Sequence, residues 1–229
     1  MTTGGFPRAV SATADERAQW LEDYVQVFAD RDIREVVEVE STDRFESFLR
    51  LVAAWTGHEL NISGISRDLG TPVNTIRRWI DALQRSYLID LIPPYSRNAG
   101  QRVLKSAKLF AVDPAFAMAA ARERAPTGFH LENLVATDLL VWKDGAPGRA
   151  IYHWRLAGGQ EVDFILELRN QLVPVEVKSS NAVGLSEARH IRTFRDGHSN
   201  SPRGLLLSCD PQIRLLSTGI VGAPWWAVL

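Results

Sequence analysis

Residues 161–180 constrain this chain more than any other stretch. Two eight-residue runs, EVDFILEL from Glu161 and QLVPVEVK from Gln171, are rich in β-branched and aromatic residues, and only Arg169 and Asn170 separate them. Runs of that length and composition joined by two polar residues predict an antiparallel hairpin. With Arg169 and Asn170 as the turn, Leu168 faces Gln171, and counting back sets Asp163 directly opposite Glu176. Side chains alternate along a strand, so Lys178 shares the face of Glu176 while Val177 points away. The register therefore gathers two carboxylates and one ammonium at one point.

Two adjacent carboxylates on an apolar sheet are costly unless positive charge sits between them. Mg2+ (or Mn2+) suits that position, since it takes carboxylate oxygens and keeps several waters. A metal-bound water can attack a phosphodiester, and a lysine can orient it and stabilise developing charge. The set asks for a third acid. Glu132, among the apolar residues of an expected helix carrying Leu131, Leu134, Val135, Leu139 and Leu140, is the candidate. A solvent-facing hairpin with a Glu176–Lys178 salt bridge is the alternative reading of the same residues.

Upstream, the period is helical. Trp20, Tyr24, Phe28, Ile33 and Val37 predict a helix over 14–38, opened by Asp15 and Glu16. Phe45, Phe48, Leu51, Val52 and Trp55 predict a second over 43–55. A short segment 61–69 follows, then a helix with Thr71 as cap and Pro72 at its first position. Residues 87–92 and 103–112 read as two strands around a polar loop. This is the element order of a winged helix-turn-helix. Its third helix carries Arg77, Arg78 and Arg85, and its wing Arg97, Arg102, Lys105 and Lys108. From Thr71 to Phe110 seven Lys/Arg oppose two Asp, a local excess of +5 that suits DNA phosphates. Winged helices also dock proteins, and Arg77 and Arg78 could serve there. Asp113-Pro114 reads as a boundary, and after residue 150 the pattern turns to strands with one helix near 185–194 and a terminal strand near 225–228. The expected class is α/β (α+β), with segments 1–42 (a helical linker), 43–112 and 113–229.

The overall charge of -1 excludes a generally basic coat. One cysteine, Cys209, allows no internal disulfide. The five histidines (His58, His130, His153, His190, His198) lack i,i+4 spacing, so no zinc site is expected. No apolar run is long enough to span a bilayer, and the opening residues do not read as a secretory signal, so a cytoplasmic location without membrane contact is expected.

Asp163, then Glu176-Val177-Lys178, with an upstream helical Glu132, resembles the PD-(D/E)XK nuclease superfamily. Val162 replaces the proline often found before the aspartate. A final polar motif residue is left open among Glu187, Arg189 and His190. The wider text, including GGFPRAV, SRDLGTPVNTIRRWIDALQRSYLIDLIPPYSRN, KSAKLFAVDPAF and GFHLENLVATDLL, resembles the DUF4143 C-terminal region of prokaryotic AAA+ ATPases. The resemblance implies a restriction-endonuclease-like α/β domain whose metal-site residues are Glu132, Asp163 and Glu176, with Lys178 catalytic. It also implies a Mg-dependent endonuclease that acts on DNA with a AAA+ ATPase domain or subunit. No G-x-x-x-x-G-K-[ST] occurs, so this chain has no ATPase site of that kind. The alternative is a non-catalytic DNA- or protein-interaction module with an idle acidic cluster.

Overall fold

The computed structural model describes residues 2–33, 41–96, 106–156 and 158–227. Helices followed by a multi-stranded sheet make it α+β. Packing divides the chain into two compact units, residues 1–91 with 108–134, and residues 92–107 with 135–229.

The first unit holds α1 (Pro7–Ser11), α2 (Ala14–Val27), α3 (Thr42–Ala54), β1 (His58–Glu59), α4 (Ile62–Leu69), α5 (Val73–Arg85), β2 (Ile89–Ile92), β3 (Lys108–Ala111), α6 (Pro114–Ala121) and the first turns of α7 (Gly128–Asp144). The caps explain where the helices begin. The Thr13 backbone N–H and hydroxyl both donate to Glu16, at 3.0 and 2.8 Å, and open α2. Asn61 accepts from the Gly64 N–H at 2.9 Å and opens α4, which ends at Gly70 in the left-handed region (φ +58°). The helix expected over 14–38 continues past α2 as a π-helical turn, Phe28–Asp32. Residues 34–40 lie outside the described ones.

Helix α5 starts one residue later than expected, because Pro72 is extended and takes the cap position. Thr71 is committed to the preceding turn: its carbonyl accepts from Ser66 at 2.6 Å and its hydroxyl donates to the Leu69 carbonyl at 3.3 Å. The apolar stripes of α3 and α5 meet in an aromatic cluster. Trp79 stands edge-on to Phe45 with centroids 5.4 Å apart, and lies 5.2 Å from Phe48. A three-stranded sheet of order β1-β3-β2 closes the unit.

Asp113 is an internal joint rather than an edge. It caps α6 by accepting from the Ala115 and Phe116 N–H groups at 2.7 and 3.1 Å, and its other oxygen accepts from the Gly5 N–H. Helix α6 then buries Phe116, Ala117 and Ala120 in the same core as Phe45 and Trp79. An Asp-Pro step signals a helix start as well as a linker, and here it is the former.

The second unit is a six-stranded sheet of order β4-β5-β6-β7-β9-β8. Its strands are β4 (Arg149–Arg155), β5 (Glu161–Leu168), β6 (Gln171–Lys178), β7 (Gly204–Ser208), β8 (Arg214–Ser217) and β9 (Ile220–Pro224). The first three are antiparallel, β6-β7-β9 are parallel, and β8 is an antiparallel edge. The terminal strand ends at Pro224, and the tryptophans expected in it form a single 3-10 turn, Trp225–Ala227. Helix α8 (Arg189–Asp196) connects β6 to β7 and buries Ile191 and Phe194. It packs close enough that a Cβ at Gly204 would meet Ile191 Cγ2 at 2.3 Å, so that position requires glycine.

Candidate functional site

The β5–β6 hairpin has the register expected. Leu168 pairs with Gln171, and the ladder runs to Phe164 opposite Val175. Arg169 and Asn170 form the turn with φ +50° and +64°. Both residues of a type I′ turn need positive φ, which asparagine tolerates and arginine adopts at a cost. Asn200 ties the turn down: its side chain donates to the Asn170 carbonyl at 2.9 Å, and its own carbonyl accepts from the Leu172 N–H at 3.0 Å.

One step beyond the ladder stand Asp163 and Glu176, both buried. The Val177 N–H donates to Asp163 Oδ2 at 2.8 Å, so the carboxylate takes over where cross-strand backbone pairing stops. Lys178 Nζ donates to Glu176 Oε1 at 2.7 Å, with the lysine side chain 37% exposed. Strand alternation thus brings Asp163, Glu176 and Lys178 together on the face covered by α8.

Helix α8 adds His190, whose Nδ1 lies 3.8 Å from Glu176 Oε1. Arg189 Nε donates to His190 Nε2 at 3.0 Å, which makes Nε2 the acceptor and leaves the proton of a neutral ring on Nδ1, facing the glutamate. Of the three residues left open on this segment, His190 reaches Glu176, and Glu187 feels the charge of Lys178. Glu187 also accepts from the Gly184 N–H at 2.8 Å and the Ser186 hydroxyl at 2.9 Å, bonds that hold its carboxyl below the usual range.

Glu176 is the electrostatic centre. Burial first, and then the negative charge of Asp163, push its carboxyl up from 4.5 to about 7, against the pull of Lys178; Glu161 adds to the rise. Its Oε2 is buried and accepts no hydrogen bond among the described residues. A buried carboxylate oxygen in that condition is a receptor for a proton or a cation. Two carboxylates, one of them with an unfilled oxygen, are the kind of donor that a divalent ion takes together with water. Among the described residues no group of three or more His, Cys, Asp or Glu side chains is arranged to hold a metal.

Glu132 is the residue expected as the third acid. It lies buried on α7 and is ion-paired with Lys108 Nζ at 2.5 Å, in the first unit. The pairing also corrects the expected role of Lys108, which is buried beneath that carboxylate and 6.0 Å from the Phe110 ring centroid, out of reach of a phosphate. Asn133, the next residue, was not singled out by its sequence context. It is fully buried, donates to the Ala111 carbonyl at 2.8 Å and accepts from the Ala111 N–H at 3.1 Å and from the Thr56 hydroxyl. The pair Glu132-Asn133 therefore clamps α7 to β3. Only the polarity of two consecutive residues in an apolar helix signalled it.

On α5, Arg77, Arg78 and Arg85 are exposed, with Asn74 and Asp81 beside them. The remaining expected phosphate contacts, Arg97, Arg102 and Lys105, lie outside the described residues. No helix among the described residues is long and apolar enough to cross a membrane.

Residues 1–127 match the family model for the domain of unknown function DUF8612, and residues 127–226 match that for DUF4143. Two curated relatives are the uncharacterized protein Rv2008c of Mycobacterium tuberculosis (strain ATCC 25618 / H37Rv) and the uncharacterized protein Mb2031c of Mycobacterium bovis (strain ATCC BAA-935 / AF2122/97). Each is 27% identical over 200 residues, covering 81% of this chain and 43% of the relative. The chain thus spans less than half the length of these relatives. No solved structure matches it.

Proposed function

From the premise that the chain belongs to the DUF8612 family and continues into a DUF4143 region, we propose that it is a DNA-processing module. In this reading a winged helix-turn-helix in the first unit docks on DNA through Arg77, Arg78 and Arg85. The sheet unit, of PD-(D/E)XK nuclease type, hydrolyses a phosphodiester, and a AAA+ ATPase domain or subunit works with it. The observation that carries the nuclease reading is Glu176: buried, held near neutrality, with an oxygen that meets no donor and a second carboxylate beside it.

Asp163 and Glu176 would hold Mg2+ or Mn2+, which when bound supplies an acidified water and offsets charge on phosphoryl oxygens. Lys178 fixes Glu176 through one hydrogen bond, and its exposed part presents positive charge to an incoming phosphate. The order of elements in the first unit, with β1 set between α3 and α4 and paired to β3, supports the winged-helix reading. The exposed arginines of α5 supply the phosphate-facing charge.

Calorimetric titration with Mg2+ and Mn2+, on the wild-type chain and on Asp163→Ala, tests the metal site, and cleavage of single-stranded, duplex and branched DNA tests the activity. Metal heat lost in Asp163→Ala, together with cleavage, is expected. Absence of both removes the nuclease reading. A salt-sensitive gel shift weakened in Arg77→Ala/Arg78→Ala is expected for DNA docking, and an unchanged shift reassigns those arginines to protein contacts.

A second reading is an interaction module whose acidic cluster is inherited and idle. It is favoured by the absence, among the described residues, of any group of three or more His, Cys, Asp or Glu side chains arranged to hold a metal.

A further inference from the structure

We infer that Tyr87 is a stacking platform for an unpaired base, so that the first unit prefers DNA with a single-stranded extension to blunt duplex. This rests on the DNA-docking reading above.

The end of α5 carries the inference. After Ser86 the Tyr87 N–H donates to the Gln84 carbonyl and the Leu88 N–H to the Leu83 carbonyl, both at 3.0 Å. This bond pair is a Schellman close, and the buried Leu83 and Leu88 complete it on the core side. Such a close holds one residue in the left-handed region. At the end of α4 the same pair of bonds, Gly70 N–H to Arg67 and Thr71 N–H to Ser66, holds a glycine there. At the end of α5 it holds Tyr87, at φ +56°. A bulky side chain is disfavoured in that conformation. Burial does not offset the cost, because Tyr87 is 81% exposed, more than any other large hydrophobic side chain among the described residues. The other non-glycine residues with positive φ among those described are Arg122, Arg169 and Asn170, all polar and served by water. An aromatic ring held outward against both preferences is placed to meet a partner.

Its neighbours specify the partner. Arg78 and Arg85 are seven residues apart on α5, hence on one face and about 10 Å apart along it. Arg77 lies beside them and Asp81 between them, so three exposed arginines oppose one carboxylate. Tyr87 follows two residues after Arg85. Positive charge that tracks a phosphate backbone, ending in a π-face that receives a base, is the combination with which proteins hold single strands. Every base has a π-face, so the platform reads lack of pairing rather than sequence. A base inside a duplex is already stacked on both sides, and only an unpaired one is free to move onto the ring.

Fluorescence titration of the full chain tests this, with a blunt duplex and with the same duplex bearing a short single-stranded extension that carries 2-aminopurine. Wild type should bind the extended duplex about tenfold more tightly and quench the base analogue. Tyr87→Gly should erase that advantage and the quenching, leave blunt-duplex affinity unchanged, and raise the unfolding midpoint by about 2 °C. Tyr87→Trp should keep the advantage and the quenching. Arg77→Ala/Arg78→Ala should weaken both DNAs and flatten the salt dependence, which Tyr87→Gly leaves as it is. Equal wild-type affinity for the two DNAs, or an advantage that survives in Tyr87→Gly, overturns the inference, leaves the docking reading standing and assigns Tyr87 to a protein contact. An equal loss on both DNAs in Tyr87→Gly, or a lowered unfolding midpoint, overturns it too, because the ring would then serve docking in general or the fold. A wild-type chain that binds neither DNA overturns both readings.

Discussion

Two buried glutamates make the instructive comparison. In the first unit, Glu132 meets one ammonium, Lys108, and the charges cancel. In the second, Glu176 also meets one ammonium, Lys178, but Asp163 stands beside it and the balance stays negative. In the first arrangement two opposite charges are buried together in an ion pair. The second is open: a carboxyl is held near neutrality and one of its oxygens lies without a donor. Balanced buried charge reads as scaffold and unbalanced buried charge as a binding site.

The largest effect expected from this contrast is in the buried ion pair. Lys108→Met or Glu132→Leu alone strands a buried charge and should cost about 3–5 kcal/mol in urea unfolding, whereas the double variant should recover most of it. Equal losses in the single and double variants would break the comparison, since the pair would then act by shape and not by charge.

The open site should behave in the opposite sense. Glu176 has its carboxyl raised from 4.5 to about 7 in the folded chain. A raised carboxyl means that the native state holds a proton the unfolded chain releases. Its contribution to stability is full below pH 4.5 and is lost as pH rises through about 7. Metal-free Glu176→Gln should therefore match wild type at pH 4.5 and exceed it by about 3 kcal/mol at pH 8. Denaturation curves at the two pH values check this; a variant less stable than wild type at pH 8 would show that Glu176 is scaffold after all.

The smallest effect concerns the turn that sets the site's register. Replacing Arg169-Asn170 by Asn-Gly lowers the cost of the positive φ that both positions keep and should raise stability by about 1 kcal/mol, a shift of about 2–4 °C in the unfolding midpoint. Mn2+ affinity should not move, because the register is unchanged. Altered affinity would show that the turn sequence also shapes the cluster.

Much of this was legible in the residues. The hairpin register followed from strand period and turn length, two local quantities, and it brought Asp163 and Glu176 to one face. The cap residue at α4 and the acidic opening of α2 were equally local. Legibility failed where a partner came from far along the chain. A buried glutamate in a helix reads the same whether its cation is a metal or Lys108, 24 residues earlier. Lys108 reads as a wing cation until packing buries it. Asp113 reads as a linker signal until Gly5 donates to it.

By itself the sequence determined the strand pairing of the hairpin, the shared face of Asp163 and Glu176, and the helical stripes, because these depend only on backbone periodicity. Tertiary structure alone decided which charges are neutralised and which are left in excess, since burial and long-range pairing set the electrostatic environment. That is why Glu132 became a clamp and Glu176 the centre of the candidate site.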